Sequence, residues 1–186
     1  MEILIIFASQ EGQTAKVAEA IAKLLRGQGH NVELAGGKRM ESKLSPEVYD
    51  GVIIGASVHM GKYPGYIRRI VRQHKAILNQ KPAAFFSVCM AANSKLEETR
   101  QQADRYIKDF LQQTGWKPVL QQSFAGAIRY SQYGFVTRWI MKRIAEKEGS
   151  DTDTSRDHEY TDWNAVSQFA MGFLKYCNDQ LRSTTT

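Results

Sequence analysis

Ser9-Gln10-Glu11-Gly12-Gln13-Thr14 puts a hydroxyl at each end of a short polar stretch with a glycine inside it. It follows an apolar run, Ile3-Leu4-Ile5-Ile6-Phe7, and precedes Val17, Ala18, Ile21, Leu24 and Leu25 at helical spacing. An apolar run of that length bounded by a loop reads as a fully buried parallel strand. A polar loop between such a strand and a helix start gathers backbone N–H groups that have no partner within the helix, and its glycine lets the backbone approach a ligand closely. The chemistry available here is anion binding, and a phosphate fits the loop.

Two further stretches carry groups of a different kind. Ser57-Val58-His59-Met60-Gly61-Lys62-Tyr63 offers a glycine, an imidazole and an aromatic ring; Ser57, His59, Gly61 and Tyr63 are its candidate ligand contacts. The third stretch, Ser87, Val88, Cys89, Met90, Ala91, Ala92 and Asn93, offers small and polar groups. Loops of this composition can wall a flat aromatic ligand. Tyr63 is the better stacking candidate because it lies in a loop, whereas Trp163 and Phe169 recur at helical spacing and belong to a core. His59 is assigned no proton-transfer role, and no catalytic side chain is identified. Cys89 reads first as a small buried thiol. Asp151-Thr152-Asp153-Thr154 has acidic spacing but lacks the later glycine and glutamate of a calcium loop, so it reads as a return turn without a metal.

The elements that would position these loops alternate. Gly27 and Gly29 close the first helix before a strand around Asn31 to Leu34. Tyr49 to Ser57 is a second buried strand, and Pro64 starts a helix carrying Ile67, Ile70, Val71, Ile77 and Leu78. Pro82 to Val88 is another strand. Ser94 and Glu97 have the spacing of a capping box for a helix with Leu96, Ala103, Tyr106, Ile107, Phe110 and Leu111 on its apolar face, ending near Gly115. Pro118 to Ile128 supplies a fifth strand, and Trp163, Val166, Phe169, Ala170, Phe173 and Leu174 mark a last helix. Strands alternating with helices predict an α/β fold with a doubly wound parallel sheet, whose ligands bind beyond the carboxyl ends of the strands where strand order reverses. All three polar loops fall at that edge.

With 186 residues and 42% hydrophobic content, the chain suits one domain, 1–186, with a substantial core. A formal charge of +6 and a pI near 9.3 favour anionic partners: anionic ligands, nucleic acid or a lipid headgroup layer. Cys89 and Cys177 lie far apart without a Cys-x-x-Cys spacing, and the N-terminal apolar run is too short for a signal peptide, so a cytoplasmic location is expected. No stretch approaches the roughly 20 apolar residues that cross a bilayer, so membrane attachment would be peripheral.

"FASQEGQTAKVAEAIA" resembles the phosphate loop of the flavodoxin-like family, whose members hold FMN between a hydroxyl-rich loop and the first helix. Where that family often has a threonine before the glycine, this chain has Glu11, whose carboxylate is expected to turn away from the anion while the backbone donates. The four segments "FASQEGQTAKVAEAIA", "YDGVIIGASVHMGKY", "GAIRYSQYGFVTRWIMKRI" and "DTDTSRDHEYTDWNAVSQFA" together resemble, in the same order, the quinone-dependent protoporphyrinogen dehydrogenases of bacterial haem synthesis. That resemblance implies a flavodoxin-like five-stranded sheet and an FMN cofactor held by Ser9, Gln10, Glu11, Gly12, Gln13 and Thr14 together with the second and third loops. It also implies oxidation of protoporphyrinogen IX with electrons passed to a membrane quinone at the cytoplasmic face of the inner membrane. Homo-oligomerisation stays open.

From Arg129 to about Tyr160 the spacing after the fifth strand far exceeds the usual length of roughly two to six residues, and marks an insertion after or within that strand. Val136, Trp139, Ile140 and Ile144 share one arc of a short helix, with Arg138 and Lys142 on the other side and Arg143 and Lys147 intruding on the apolar arc. Such a segment packs on a domain edge at least as often as it meets a membrane. Arg129, Tyr130, Arg138, Trp139 and Lys142 are its substrate or membrane candidates. Two other flavin readings compete: an electron-carrier flavodoxin, disfavoured because such carriers are generally acidic, and an NAD(P)H:quinone reductase of the same fold. A nucleic-acid binder, the non-flavin alternative, predicts a colourless protein with salt-dependent affinity.

Overall fold

The computed structural model describes residues 1–37, 45–128, 153 and 156–184. In chain order the elements are β1 (Glu2–Ala8), α1 (Gln13–Gly27), β2 (Asn31–Gly36), β3 (Gly51–Ser57), α2 (Gly65–Gln73), α3 (Lys75–Gln80), β4 (Ala83–Val88), α4 (Glu97–Thr114), β5 (Leu120–Phe124), β6 (Ala127–Ile128), β7 (His158–Glu159) and α5 (Trp163–Thr184). β1 to β5 form one parallel sheet in the order β2-β1-β3-β4-β5. Strand order therefore reverses at β1 and β3, which opens a crevice between the loops that follow them.

Alternation along each strand sorts the core into two layers. Ile3 and Ile5 of β1, Ile53 of β3 and Phe86 of β4 pack against α1 and α5 through Val17, Ile21, Phe169 and Phe173. Leu4, Ile6, Val52, Ile54 and Phe85 face the other way, against Ile67, Ile70 and Val71 of α2, Leu78 of α3 and Ile107 and Phe110 of α4. Successive side chains of a strand point to opposite faces, so a strand covered by helices on both sides must be apolar throughout. This is why β1, β3 and β4 read as unbroken hydrophobic runs.

The centre of the sheet leaves no spare volume. A Cβ added to Gly55 would lie 2.0 Å from Cζ of Phe86 on the neighbouring strand. Gly55→Ala is expected to cost about 1–3 kcal/mol by overpacking, which corresponds to a drop of roughly 2–4 °C in Tm per kcal/mol for a chain of this size. Thermal unfolding of the variant checks this; an unchanged Tm would mean that the Phe86 ring swings aside at no cost.

Several elements depart from the sequence expectation. The helix expected after Pro64 is two helices with a break at His74, whose ring turns inward to lie 3.5 Å from Glu47 while Leu78 beyond the break still reaches the core. Ser94 and Glu97 do not form a capping box: Leu96 is the N-cap, Ser94 Oγ accepts only from the Leu96 N–H, and the Glu97 carboxylate serves Arg100 and Gln101. Leu96, placed on the apolar face by its spacing, is exposed. The fifth strand ends at Phe124, because Ala125 and Gly126 give their carbonyls to Thr161 Oγ1 and the Tyr160 N–H and leave the sheet. β6 then pairs antiparallel with β7, Ala127 opposite Glu159 and Ile128 opposite His158, so the chain leaves for the insertion and returns from it side by side.

Candidate functional site

Beyond the carboxyl ends of β1, β3 and β4, and against the turn after β5, lies a narrow cleft open to solvent. Its lining comes from all three loops singled out above: Gln10, Glu11, Gln13 and Thr14 from the first, Ser57, Val58 and His59 from the second, Val88, Cys89 and Met90 from the third. Gly126 and Ala127 complete it. Ser9 borders the adjoining groove along α2, which shares Gln10 with the cleft.

In the first loop Gly12 is the N-cap of α1 at φ 89°, a conformation that favours glycine, and it brings no side chain to cover the helix start. The first turn of α1 contains no acidic residue. Thr14 is only 1% exposed and its Oγ1 has no hydrogen-bond partner among the described residues; Ser9 Oγ and Gln13 Oε1 are likewise buried without one there. Buried hydroxyls left unpaired are costly, so such a cluster beside a bare helix N-terminus calls for a ligand that accepts hydrogen bonds. A phosphate provides those acceptors at the positive end of the helix dipole. The residues present therefore fit the phosphate end of FMN.

The second loop is a two-residue hairpin. His59 and Lys62 exchange backbone hydrogen bonds of 2.9 and 3.0 Å, while Met60 and Gly61 at the tip have φ of 47° and 75°. That tight return brings the chain back to the domain at Tyr63, whose side chain turns inward: it is buried, its ring lies 5.5 Å from Phe85 and 5.0 Å from Phe110, and its hydroxyl donates to Ser87 Oγ at 2.9 Å. Tyr63 is thus a core residue that braces the second loop against β4, not a stacking wall. Burial pushes its phenol pKa up, so it stays neutral. Gly61 stands at the hairpin tip outside the lining.

In the third loop Ser87 is fully buried beneath the cleft as the acceptor for Tyr63. Cys89, a buried thiol on the cleft outside any disulfide, gives its N–H to the Phe124 carbonyl at 3.0 Å, which ties this loop to β5. Ala91, Ala92 and Asn93 belong to a short 3-10 turn, Met90–Asn93, and do not line the cleft; Ala92 borders a groove beside α4 and β5 instead. The sequence pattern places Gly126 and Ala127 in a strand and not in the site, although the small residues of Phe124-Ala125-Gly126-Ala127 are a signal of close approach.

Behind the first loop, Gln13 Nε2 donates to Thr161 Oγ1 at 2.9 Å, and Lys16 pairs with Glu159 at 2.8 Å. Glu159 also accepts from Trp163 Nε1 at 3.0 Å, which keeps Trp163 at the surface, 39% exposed, instead of in the core as its spacing suggested. The hydrogen bond from Lys16, chiefly, holds the Glu159 carboxyl below its ordinary range. Arg156 pairs with Asp153 at 3.3 Å. Arg129, Tyr130, Arg138, Trp139 and Lys142 lie outside the described residues.

Residues 4–155 match the family model of the flavodoxin domain. Oxidised flavodoxin 1 from Bacillus cereus shares the fold with a TM-score of 0.56 at 21% identity, over 94% of this chain and 98% of its own. The rubredoxin oxygen:oxidoreductase of Desulfovibrio gigas shares it with a TM-score of 0.57 at 16% identity, over 97% of this chain and 37% of its own. Sheet order and cleft thus define a flavodoxin-type domain. The protoporphyrinogen IX dehydrogenase (quinone) of Escherichia coli strain K12 is 36% identical over 170 residues, 91% of this chain and 93% of that protein. A protein of the same name from Leishmania major is 32% identical over 171 residues, 91% of this chain and 73% of its own. The chain belongs to the flavodoxin-domain family and, within it, to the family of the quinone-dependent protoporphyrinogen IX dehydrogenases.

Proposed function

We propose that this protein binds FMN in the cleft and oxidises protoporphyrinogen IX to protoporphyrin IX in haem biosynthesis, with electrons passed to a membrane quinone. The observation that carries this reading is the 36% identity to an enzyme of that name along 91% of the chain, and the orphaned hydroxyls of the first loop support it independently. Bound FMN supplies the two-electron acceptor chemistry that the substrate requires three times per porphyrin. Thr14 and Ser9 hydroxyls, with the start of α1, hold the phosphate and so anchor the cofactor away from the reacting ring. Val58 and His59 from one loop, and Val88, Cys89 and Met90 from another, wall the rest of the cleft. Gly126 and Ala127 present almost no side chain there, so the backbone after β5 forms that wall of the cleft.

A lipid-soluble acceptor and a formal charge of +6 favour peripheral attachment to the anionic cytoplasmic face of a membrane. Among the described residues no helix is long and apolar enough to cross a bilayer. We assign membrane engagement to the insertion. Excising Phe135 to Glu148, which removes Arg138, Trp139 and Lys142, and closing the gap with a short Gly-Ser linker is expected to leave FMN content intact, because β1 to β5 and their helices lie outside the cut. Turnover with a lipophilic quinone should fall sharply. Parent-level turnover with flavin retained would reduce the insertion to a structural appendage; lost liposome flotation at unchanged turnover would confine it to attachment.

The substrate assignment is tested by anaerobic turnover with protoporphyrinogen IX and with NADPH, each with the same quinone analogue. Protoporphyrin formation without NADPH oxidation is the expected result. Activity with NADPH alone would make the protein an NAD(P)H:quinone reductase, and a colourless preparation that takes up no FMN would remove the flavin reading altogether.

A further inference from the structure

The Gln13 carboxamide is oriented from behind by residues that meet it only in the folded chain. Its Nε2 donates to Thr161 Oγ1 at 2.9 Å, across 148 positions of sequence, and Thr161 Oγ1 in turn donates to the Ala125 carbonyl at 2.7 Å. A hydroxyl has one hydrogen. Since that hydrogen is committed to Ala125, Thr161 offers Gln13 only a lone pair, and the amide must present its nitrogen. Glu159 acts in the same sense: its carboxylate, held in place by Lys16 and Trp163, adds a negative charge near the same end of the amide. Turning the amide over would set its oxygen against a hydroxyl lone pair and a carboxylate.

The consequence lies at the other end of the amide. Gln13 lines the cleft, is 5% exposed, and its Oε1 has no partner among the described residues. An amide oxygen accepts and cannot donate, and the oxygens of a phosphate dianion likewise only accept. Phosphate therefore satisfies the Thr14 and Ser9 hydroxyls but not this oxygen. What Oε1 needs is a donor, and the part of FMN rich in hydroxyl donors is its ribityl chain.

We propose that Thr161 is a positioning residue that holds the Gln13 amide oxygen as the acceptor for a ribityl hydroxyl of the cofactor. The inference rests on the FMN reading above. It divides the first loop by chemistry, with hydroxyls of Ser9 and Thr14 for the phosphate and the amide of Gln13 for the polyol. It also links cofactor binding to the segment between β7 and α5, which closes the insertion. Whatever unseats Thr161 weakens the cofactor, and by reciprocity the cofactor steadies that segment.

Three flavins separate the contributions: lumiflavin has the ring without the polyol, riboflavin adds the ribityl chain, and FMN adds the phosphate. Their affinities, read by flavin fluorescence at pH 8, are compared for the parent protein, Thr161→Val, Thr161→Ser and Gln13→Met. Thr161→Val and Gln13→Met should each weaken riboflavin and FMN by about fivefold and leave lumiflavin unchanged. The riboflavin-to-lumiflavin ratio then falls while the FMN-to-riboflavin ratio holds, and Thr161→Ser, which keeps the hydroxyl, restores parent values. A fall in the FMN-to-riboflavin ratio instead would make Gln13 a phosphate ligand and overturn the proposal. So would an equal loss for all three flavins, or no loss. If Thr161→Val does not fold, Gln13→Met and Thr161→Ser still report the same ratios. A parent protein that binds none of the three overturns the flavin reading itself, an outcome distinct from a parent that binds FMN with unaltered ratios in the variants.

Discussion

Thr14→Val is expected to weaken FMN binding by roughly ten- to hundredfold, the range that follows from losing one hydrogen bond to a charged group. Valine keeps the bulk and branching of threonine, so the substitution deletes the hydroxyl alone. In the parent that hydroxyl is buried at the first turn of α1 with no partner among the described residues, which leaves its hydrogen-bonding capacity open to a ligand. Deleting it removes a buried unsatisfied group from the apoprotein, so apoprotein stability should hold or rise while cofactor affinity falls. That opposition distinguishes a ligand contact from a structural one. Equilibrium dialysis of FMN and thermal unfolding of the apoprotein measure both quantities, and a variant that holds FMN as tightly as the parent across a dilution series would remove Thr14 from the site.

Phe85→Ala is expected to destabilise the protein by about 3–5 kcal/mol, a large share of the roughly 5–15 kcal/mol typical of a folded domain. Phe85 has no exposed surface and sits in the middle of β4. Its ring stacks on Phe110 of α4 at 4.9 Å and meets Trp116 and Tyr63 edge-on at 5.7 and 5.5 Å. Truncation leaves a cavity bordered by three aromatic rings anchored on different elements, none of which can collapse into it without leaving its own contacts. Urea unfolding should be followed with and without saturating FMN, because a ligand that binds only the folded state adds its own stabilisation. The same decrement in both series is the expected result. A loss below 1 kcal/mol would show that the α4 layer repacks freely. A loss seen only with FMN would mean that the ring supports the cleft more than the fold.

The sheet was legible in the sequence because its signals are local. β1, β3 and β4 are covered on both faces, so each is an apolar run that a neighbouring loop interrupts, and the order of strands and helices follows from the alternation. The first loop was legible for a related reason: hydroxyls, a glycine and a helix start are contiguous, and their chemistry needs no distant residue. Residue type and spacing by themselves determined the doubly wound class and the sheet edge that carries the cleft. Only the tertiary structure decided where side chains go once the chain returns on itself. Tyr63 follows a loop and looks available to a ligand, yet the two-residue hairpin turns it inward to Ser87. Trp163 has core spacing, yet Glu159 on β7 keeps its indole nitrogen at the surface. The orientation of Gln13 depends on Thr161, and the commitment of Thr161 depends on the carbonyl of Ala125 where β5 stops. Periodicity records which residues are apolar and how the local backbone runs; it holds no information about which donor meets which acceptor across a hundred or more residues, because that pairing exists only after the layers have packed.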